Sequence, residues 1–170
     1  VGNGLIAGFT AYEAGQGSVG DLFDWFMENC VPTKYADEAK ELGINIFDLM
    51  EAKARKITPG ENKVDALDWW NGNRSVINDS SLSGMILGLT LRTKPEEIYR
   101  ALLEACAYGT RKIIESFEEC GVAVTELYAC GGIAIKDPFT MQLFADVLKM
   151  DIRIAGSTQI PALSGGIYAA

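Results

Sequence analysis

The stretch Glu126-Leu-Tyr-Ala-Cys-Gly-Gly-Ile-Ala-Ile-Lys-Asp-Pro-Phe-Thr-Met-Gln-Leu-Phe-Ala-Asp146 decides how this chain is read. It predicts a short buried strand, a turn on the Gly131-Gly132 pair, and then a helix running to about Lys149. In that geometry backbone can approach a nucleotide closely, because neither glycine carries a Cβ to hold it off. The first helical turn leaves N–H groups without intrahelical partners, facing whatever occupies the turn. Many α/β proteins use the same pattern for packing alone, so both readings stand at this point.

Upstream, Thr93 and Pro95 open the strongest helical pattern in the chain, with Pro95 early enough that its missing N–H does no harm. Ile98, Leu102, Ala105, Gly109, Ile113 and Phe117 repeat along one face, and Arg100, Glu104, Arg111, Glu115 and Glu118 along the other. Thr93 is the expected cap, and Gly121 the stop. Two strands precede this helix, Val64 to Trp70 and Ser83 to Leu89, with a polar loop between them. Nearer the N-terminus, Leu5 to Tyr12 reads as a strand. Ser18 is placed to cap a helix from about Gly20 to Cys30, with Leu22, Phe23, Trp25, Phe26 and Met27 as its apolar face. Pro32 ends that helix, and two amphipathic, solvent-facing helices follow over 35–42 and 46–56, split by Gly43. Downstream come a strand over 151–155 and a helix starting at Ala162. Strands alternating with helices, without repeats, point to a layered α/β domain.

A chain of 170 residues, 48% hydrophobic and 22% charged, has the composition of a globular domain with a sizeable core. No apolar run approaches the ~20 residues needed to span a bilayer. The opening Val1-Gly-Asn-Gly-Leu has no signal-peptide pattern and reads as the middle of a longer protein. A net charge of −8 without a basic run argues against nucleic acid or an anionic membrane as partner. It leaves room for a nucleotide, which a helix N-terminus can hold on an acidic protein. Cys30, Cys106, Cys120 and Cys130 form no Cys-x-x-Cys pair, which speaks against metal ligation. Cys106 and Cys130 read as small core residues in a reducing compartment, consistent with the cytoplasm. The chain has no histidine, so any base must be a carboxylate or a lysine, or stand on another segment.

Gly84-Met-Ile-Leu-Gly-Leu-Thr90 together with Glu97-Ile-Tyr-Arg-Ala-Leu-Leu-Glu104 closely resembles the C-terminal signature of the FGGY carbohydrate kinases, within the actin-like ATPase superfamily. Leu102 is a departure, standing where the family pattern has a smaller or β-branched residue. Gly131-Gly132, followed by Gln142 and Ala145-Asp146, resembles that family's adenosine-binding turn. Three further strings, Tyr12-Glu-Ala-Gly-Gln16, Asp68-Trp-Trp-Asn-Gly-Asn-Arg-Ser75 and Gly131-Gly-Ile-Ala-Ile-Lys136, resemble the L-ribulokinase branch more than the xylulokinases or glycerol kinases. The resemblance covers essentially the whole chain.

It implies an α/β, ribonuclease-H-like (actin-like ATPase) domain, with a mixed sheet flanked by helices. Residues 1–170 would be the C-terminal nucleotide-binding domain. The sugar-holding N-terminal domain, with the catalytic Asp and the phosphate-binding Gly-Thr loop, is expected upstream of Val1. The implied activity is transfer of the γ-phosphoryl of ATP, with Mg²⁺, to the C5 hydroxyl of L-ribulose. The implied partners are a ketopentose, ATP and the protein's own N-terminal domain, and a homo-oligomer is compatible with the pattern. No catalytic residue and no metal ligand are expected in this chain, which alone should turn over little substrate. The rivals are another pentulose kinase, such as a xylulokinase, and a non-catalytic nucleotide-binding module on the same fold.

The resemblance assigns Gly132 to packing against the adenine and Gly131 to shaping the turn. Lys136 either reaches adenine or ribose or is a solvated surface lysine. Gly20 and Asp24 match positions lining the nucleotide site, with plain helix entry as the rival for Gly20. Glu13 is the candidate contact to a sugar hydroxyl, since a carboxylate at a strand end accepts hydroxyl hydrogen bonds well; otherwise it is an exposed turn carboxylate. Trp69 and Trp70 read as anchors of their loop to the core, and the role of Arg74 stays open.

Overall fold

The computed structural model describes residues 2, 7–157 and 159–169. Three helices come first, α1 (Gly20–Cys30), α2 (Thr33–Leu42) and α3 (Ile46–Ala54). Strands β1 (Asp65–Leu67) and β2 (Met85–Leu87) precede the long helix α4 (Pro95–Glu119). Then come β3 (Leu127–Ala129), α5 (Gly132–Lys136), α6 (Pro138–Leu148), β4 (Ile152–Ile154) and α7 (Ile160–Ala169). Among the described residues the strands form two pairs rather than one sheet: β1 with β2 antiparallel, and β3 with β4 parallel. The expected strand over Leu5 to Tyr12 lies partly outside the described residues. Within them, Thr10 makes an isolated antiparallel bridge to Gly2.

Helix α4 is the hub, because its N-terminal half is apolar on nearly every side. Tyr99, Ala101, Leu102, Leu103, Ala105, Cys106 and Ala107 are all buried. It receives Leu22, Phe23, Phe26 and Met27 of α1, Leu49 and Met50 of α3, and Leu143 of α6 in one apolar cluster. The aromatic edge of Phe23 meets Tyr99 with ring centroids 5.3 Å apart. Although α2 and α3 read as solvent-facing, each buries a narrow stripe. Tyr35 and Ala39 go inside, and Met50 and Ala54 are fully buried. Two or three apolar residues per helix suffice for this, and the polar remainder had hidden them.

Two caps differ from expectation. Ser18 does not cap α1; Val19 stands at that position, in helical backbone and without a side-chain bond. Thr93 does not cap α4 either. Its hydroxyl accepts from the Thr90 N–H at 2.9 Å, and Lys94 takes the cap position. The Glu97 carboxylate accepts from the Lys94 N–H at 2.7 Å, which is half of a capping box. Downstream, α7 starts at Ile160 rather than Ala162.

Arg100, expected on the outer face of α4, is 6% exposed. Its Nε donates to Glu104 at 2.6 Å, and its guanidinium lies 5.2 Å from the Phe139 ring centroid. Arg55 reaches the same ring at 5.1 Å. Arginine can be buried this way because its flat, weakly hydrated head stacks on an aromatic face while a carboxylate takes its N–H groups.

The predicted helix after the glycine pair is two helices. Pro138 disfavours helical backbone at the residue before it, and Asp137 accordingly sits at φ −122°, ψ 82°. The Asp137 side chain then caps α6 by accepting from the Thr140 N–H at 2.8 Å. Strand β3 is less buried than its composition suggests, with Tyr128 exposed, and Cys130 is exposed rather than in the core. Cys106 is buried as expected.

Two predictions follow from this core. A Cβ at Gly109 would stand 2.1 Å from Asp68 Oδ2 and 2.4 Å from Gln16 Nε2. Gly109→Ala should therefore cost about 1–3 kcal/mol, read by urea denaturation, despite the better helix propensity of alanine. Separately, burial and then the Asp68 carboxylate push the Cys106 thiol up to about 12, from an ordinary 9.0. Burial also raises the Tyr99 phenol. Both groups favour their neutral form when folded, so their contribution is complete at neutral pH and is lost as pH rises past about 9. Melting temperature should fall above that pH, and Cys106→Ala should flatten the first part of the fall.

Candidate functional site

The segment Glu13 to Gly17 has no regular structure of its own and takes its shape from its neighbours. Gln16 Nε2 donates to Asp68 Oδ2 at 2.7 Å and to the Cys106 carbonyl at 2.8 Å. Its Oε1 accepts from the Thr110 hydroxyl at 2.8 Å. Every polar atom of the Gln16 side chain is thus used, tying the segment to the end of β1 and to α4. Glu13 Oε1 accepts from Arg74 Nη2 at 2.8 Å, an exposed ion pair.

The facing loop is internally braced. Asn73 and Asp79 exchange backbone hydrogen bonds of 2.9 Å, and Asn73 Oδ1 accepts from the Ile77 N–H at 2.8 Å. Asp79 accepts from the Ser81 hydroxyl and N–H, and those bonds hold its carboxyl below the usual range. Between this loop, the 15–17 segment and α4 lies a cleft of about 410 Å³. Gln16, Asp68, Trp69, Arg74, Tyr108 and Lys112 are among the residues lining it. Lys112 bonds Glu119 at 3.2 Å, and this contact raises its ammonium above the ordinary lysine value. Trp70 packs inward, its ring centroid 4.6 Å from that of Trp25, as an anchor should.

The glycine turn is a second, separate feature. Gly131 has φ 98° and ψ −179°, backbone that a side chain would strain, so the residue type is dictated there by conformation. Gly132 begins α5 and has no positive φ. A Cβ at either glycine meets nothing within 4 Å, so the turn is open to solvent. Lys136 closes α5 and is exposed. Beside it, α5, α6 and β4 bound a depression of about 520 Å³ lined by Ala134, Gln142 and Ile152 among others. Gln142 donates to Asp146 at 2.8 Å, one turn along α6.

Gly20 and Asp24 stand one turn apart on α1, both exposed, and a Cβ at Gly20 meets nothing within 4 Å. The predicted positions therefore fall on three elements: the Glu13 segment, the start of α1, and the β3–α5 turn. Of the residues whose roles were open, Arg74 is brought onto Glu13. Thr110 and Ser75 went unrecognised. Thr110 sat unmarked between the two faces of a long helix. Ser75 follows Arg74 in a polar loop with nothing local to mark it, and its hydroxyl accepts from the Gly15 N–H at 2.6 Å. Among the described residues no three His, Cys, Asp or Glu converge as a metal cage. No helix among them is long and apolar enough to cross a membrane.

Residues 1–170 match the model of the C-terminal domain of the FGGY family of carbohydrate kinases. The ribulokinase of Bacillus licheniformis is 55% identical over 170 residues, which is 100% of this chain and 31% of that protein. The ribulokinase of Halalkalibacterium halodurans is 54% identical over 169 residues, 99% of this chain and 30% of that protein. The chain thus spans about a third of the length of these relatives. Among solved structures, the xylulose kinase from Rhodospirillum rubrum aligns with a TM-score of 0.70 at 23% identity, covering 88% of this chain and 28% of that one. Plasmodium falciparum glycerol kinase with ADP aligns at 0.66 and 22% identity, over 88% of this chain and 27% of that one. These two likenesses bear on fold alone, and they agree with the actin-like ATPase fold expected from the sequence. With a family model matched from end to end, this chain belongs to the FGGY family of carbohydrate kinases, as a C-terminal domain.

Proposed function

We propose that this chain is the nucleotide-holding lobe of an ATP-dependent ribulokinase that phosphorylates the C5 hydroxyl of L-ribulose in the cytoplasm. The observation that carries the reading is 55% identity, over all 170 residues, to a ribulokinase. In this reading Gly131 and Gly132 receive the adenosine, Lys136 lies at its edge, and Gly20 and Asp24 flank the nucleotide from α1. Glu13 accepts a sugar hydroxyl. The open face of the glycine turn and the positive φ at Gly131 suit a close ligand.

Phosphoryl transfer asks the protein mainly for alignment and charge stabilisation. Mg²⁺, bound with the nucleotide, supplies neutralisation of the phosphate charge. This chain's residues hold the adenosine end and orient the sugar, and the base for the attacking hydroxyl stands on the N-terminal domain. Closure of the two lobes excludes water from the phosphates. Exposed apolar side chains on both strand pairs, including Leu87, Tyr128 and Ile154, suit contact with further protein.

The full-length kinase, assayed against a pentulose panel, should favour L-ribulose over D-xylulose by about tenfold or more in kcat/KM. The opposite preference would move the protein to another branch of its family. Isothermal titration of the full-length protein with Mg-ATP should show binding that Gly132→Val weakens about tenfold or more. Added atoms at that position meet nothing at Cβ, so the melting temperature should hold. Unchanged affinity would remove Gly132 from the nucleotide site.

A further inference from the structure

Residues 15–17 are clamped at every position by one stretch of chain and by α4. The Ser75 hydroxyl takes both backbone groups of Gly15, accepting from its N–H at 2.6 Å and donating to its carbonyl at 2.9 Å. The Gln16 side chain is held by Asp68, Thr110 and the Cys106 carbonyl. Gly17 backs so closely onto Asn71 that a Cβ would stand 2.8 Å from its carbonyl oxygen. Glu13 lies just beyond this clamp, with its side chain 80% exposed. Among the described residues, Arg74 is the hydrogen-bond partner of its carboxylate. Arg74 itself lies along the clamped backbone, with Nη1 3.6 Å from where a Cβ of Gly15 would be.

An ion pair this exposed contributes little to stability. Its effect is on direction. A free glutamate samples several rotamers and loses that freedom whenever it binds. A guanidinium holding Oε1 removes part of that loss in advance and leaves Oε2 open to a hydroxyl. The neighbouring Ser75 fixes the backbone while Arg74 fixes the carboxylate, so adjacent residues of one braced loop set both.

We propose that Arg74 is the positioning residue for Glu13, aiming its carboxylate at a hydroxyl of the sugar substrate. This rests on the reading of Glu13 as a sugar contact given above. A hydroxyl acceptor engaged alike in ground and transition states affects KM more than kcat.

The test is steady-state kinetics of the full-length kinase with L-ribulose and Mg-ATP, on Glu13→Gln, Arg74→Ala, Arg74→Lys and the double variant Glu13→Gln/Arg74→Ala. Arg74→Ala should raise the sugar KM about three- to fivefold, with the KM for Mg-ATP and the melting temperature nearly unchanged. Arg74→Lys, which keeps the charge but not the fork, should fall between Arg74→Ala and the parent. In the Glu13→Gln background, Arg74→Ala should add less than about twofold, because the two residues act as one unit. If Glu13→Gln leaves the sugar KM unchanged, the sugar-contact reading fails and the proposal with it. If Glu13→Gln raises KM while Arg74→Ala does not, the positioning role alone is overturned. An Arg74→Ala effect of full size in the double variant also overturns it, since Arg74 would then act on the substrate independently.

Discussion

Asp68 meets Gln16 over Gly109, and most of the candidate cleft depends on that contact. The carboxylate at the end of β1 and the carboxamide of Gln16 both enter space that any side chain on α4 at position 109 would fill. From there the Gln16 bonds to Thr110 and to the Cys106 carbonyl fix the segment that carries Glu13. Polar groups withdrawn even partly from water cost stability unless satisfied, so the half-buried Gln16, with every polar atom used, favours one arrangement over several. Ser75 and Arg74 extend the same arrangement outward to the cleft rim.

A different interaction positions the glycine turn. Phe139, one residue into α6 past Pro138, receives the guanidinium groups of Arg55 and Arg100 and so ties α6 to α3 and α4. Asp137 caps α6 at the same junction, and the short α5 hangs between this anchor and Gly131. The turn is thus held from its downstream side while its upper face stays open. The result is a division of labour: a rigid base set by apolar and cation–π packing, and an unobstructed backbone surface above it, as the proposed nucleotide contact would require.

Much of the fold was legible because its signals are local. Helix α1 runs from Gly20 to Cys30 as its apolar spacing predicts, and α4 stops at Glu119, just before Gly121. The caps were less legible. Ser18 and Thr93 are suitable residue types in the wrong register, and Thr93 spends its hydroxyl on Thr90. The burial of Arg100 was invisible because it needs Phe139, a residue thirty-nine positions away in the chain. Exposure of Cys130 and Tyr128 was missed for a related reason, since an apolar strand of three residues looks the same whether or not anything covers it. Of the site, the residue types at Gly131, Gly132 and Glu13 stood out by motif, whereas Thr110 carried no mark of its own.

The sequence alone determined where most helices run, the glycine turn and the family pattern, since these depend on periodicity, backbone permissiveness and contiguous motifs. Tertiary structure alone decided that Arg74 meets Glu13 across sixty-one positions, that Gln16 is locked to α4, and that Arg100 turns inward. Each of these is a hydrogen bond or ring contact between distant segments, and its geometry exists only once α4 has gathered the other elements around it.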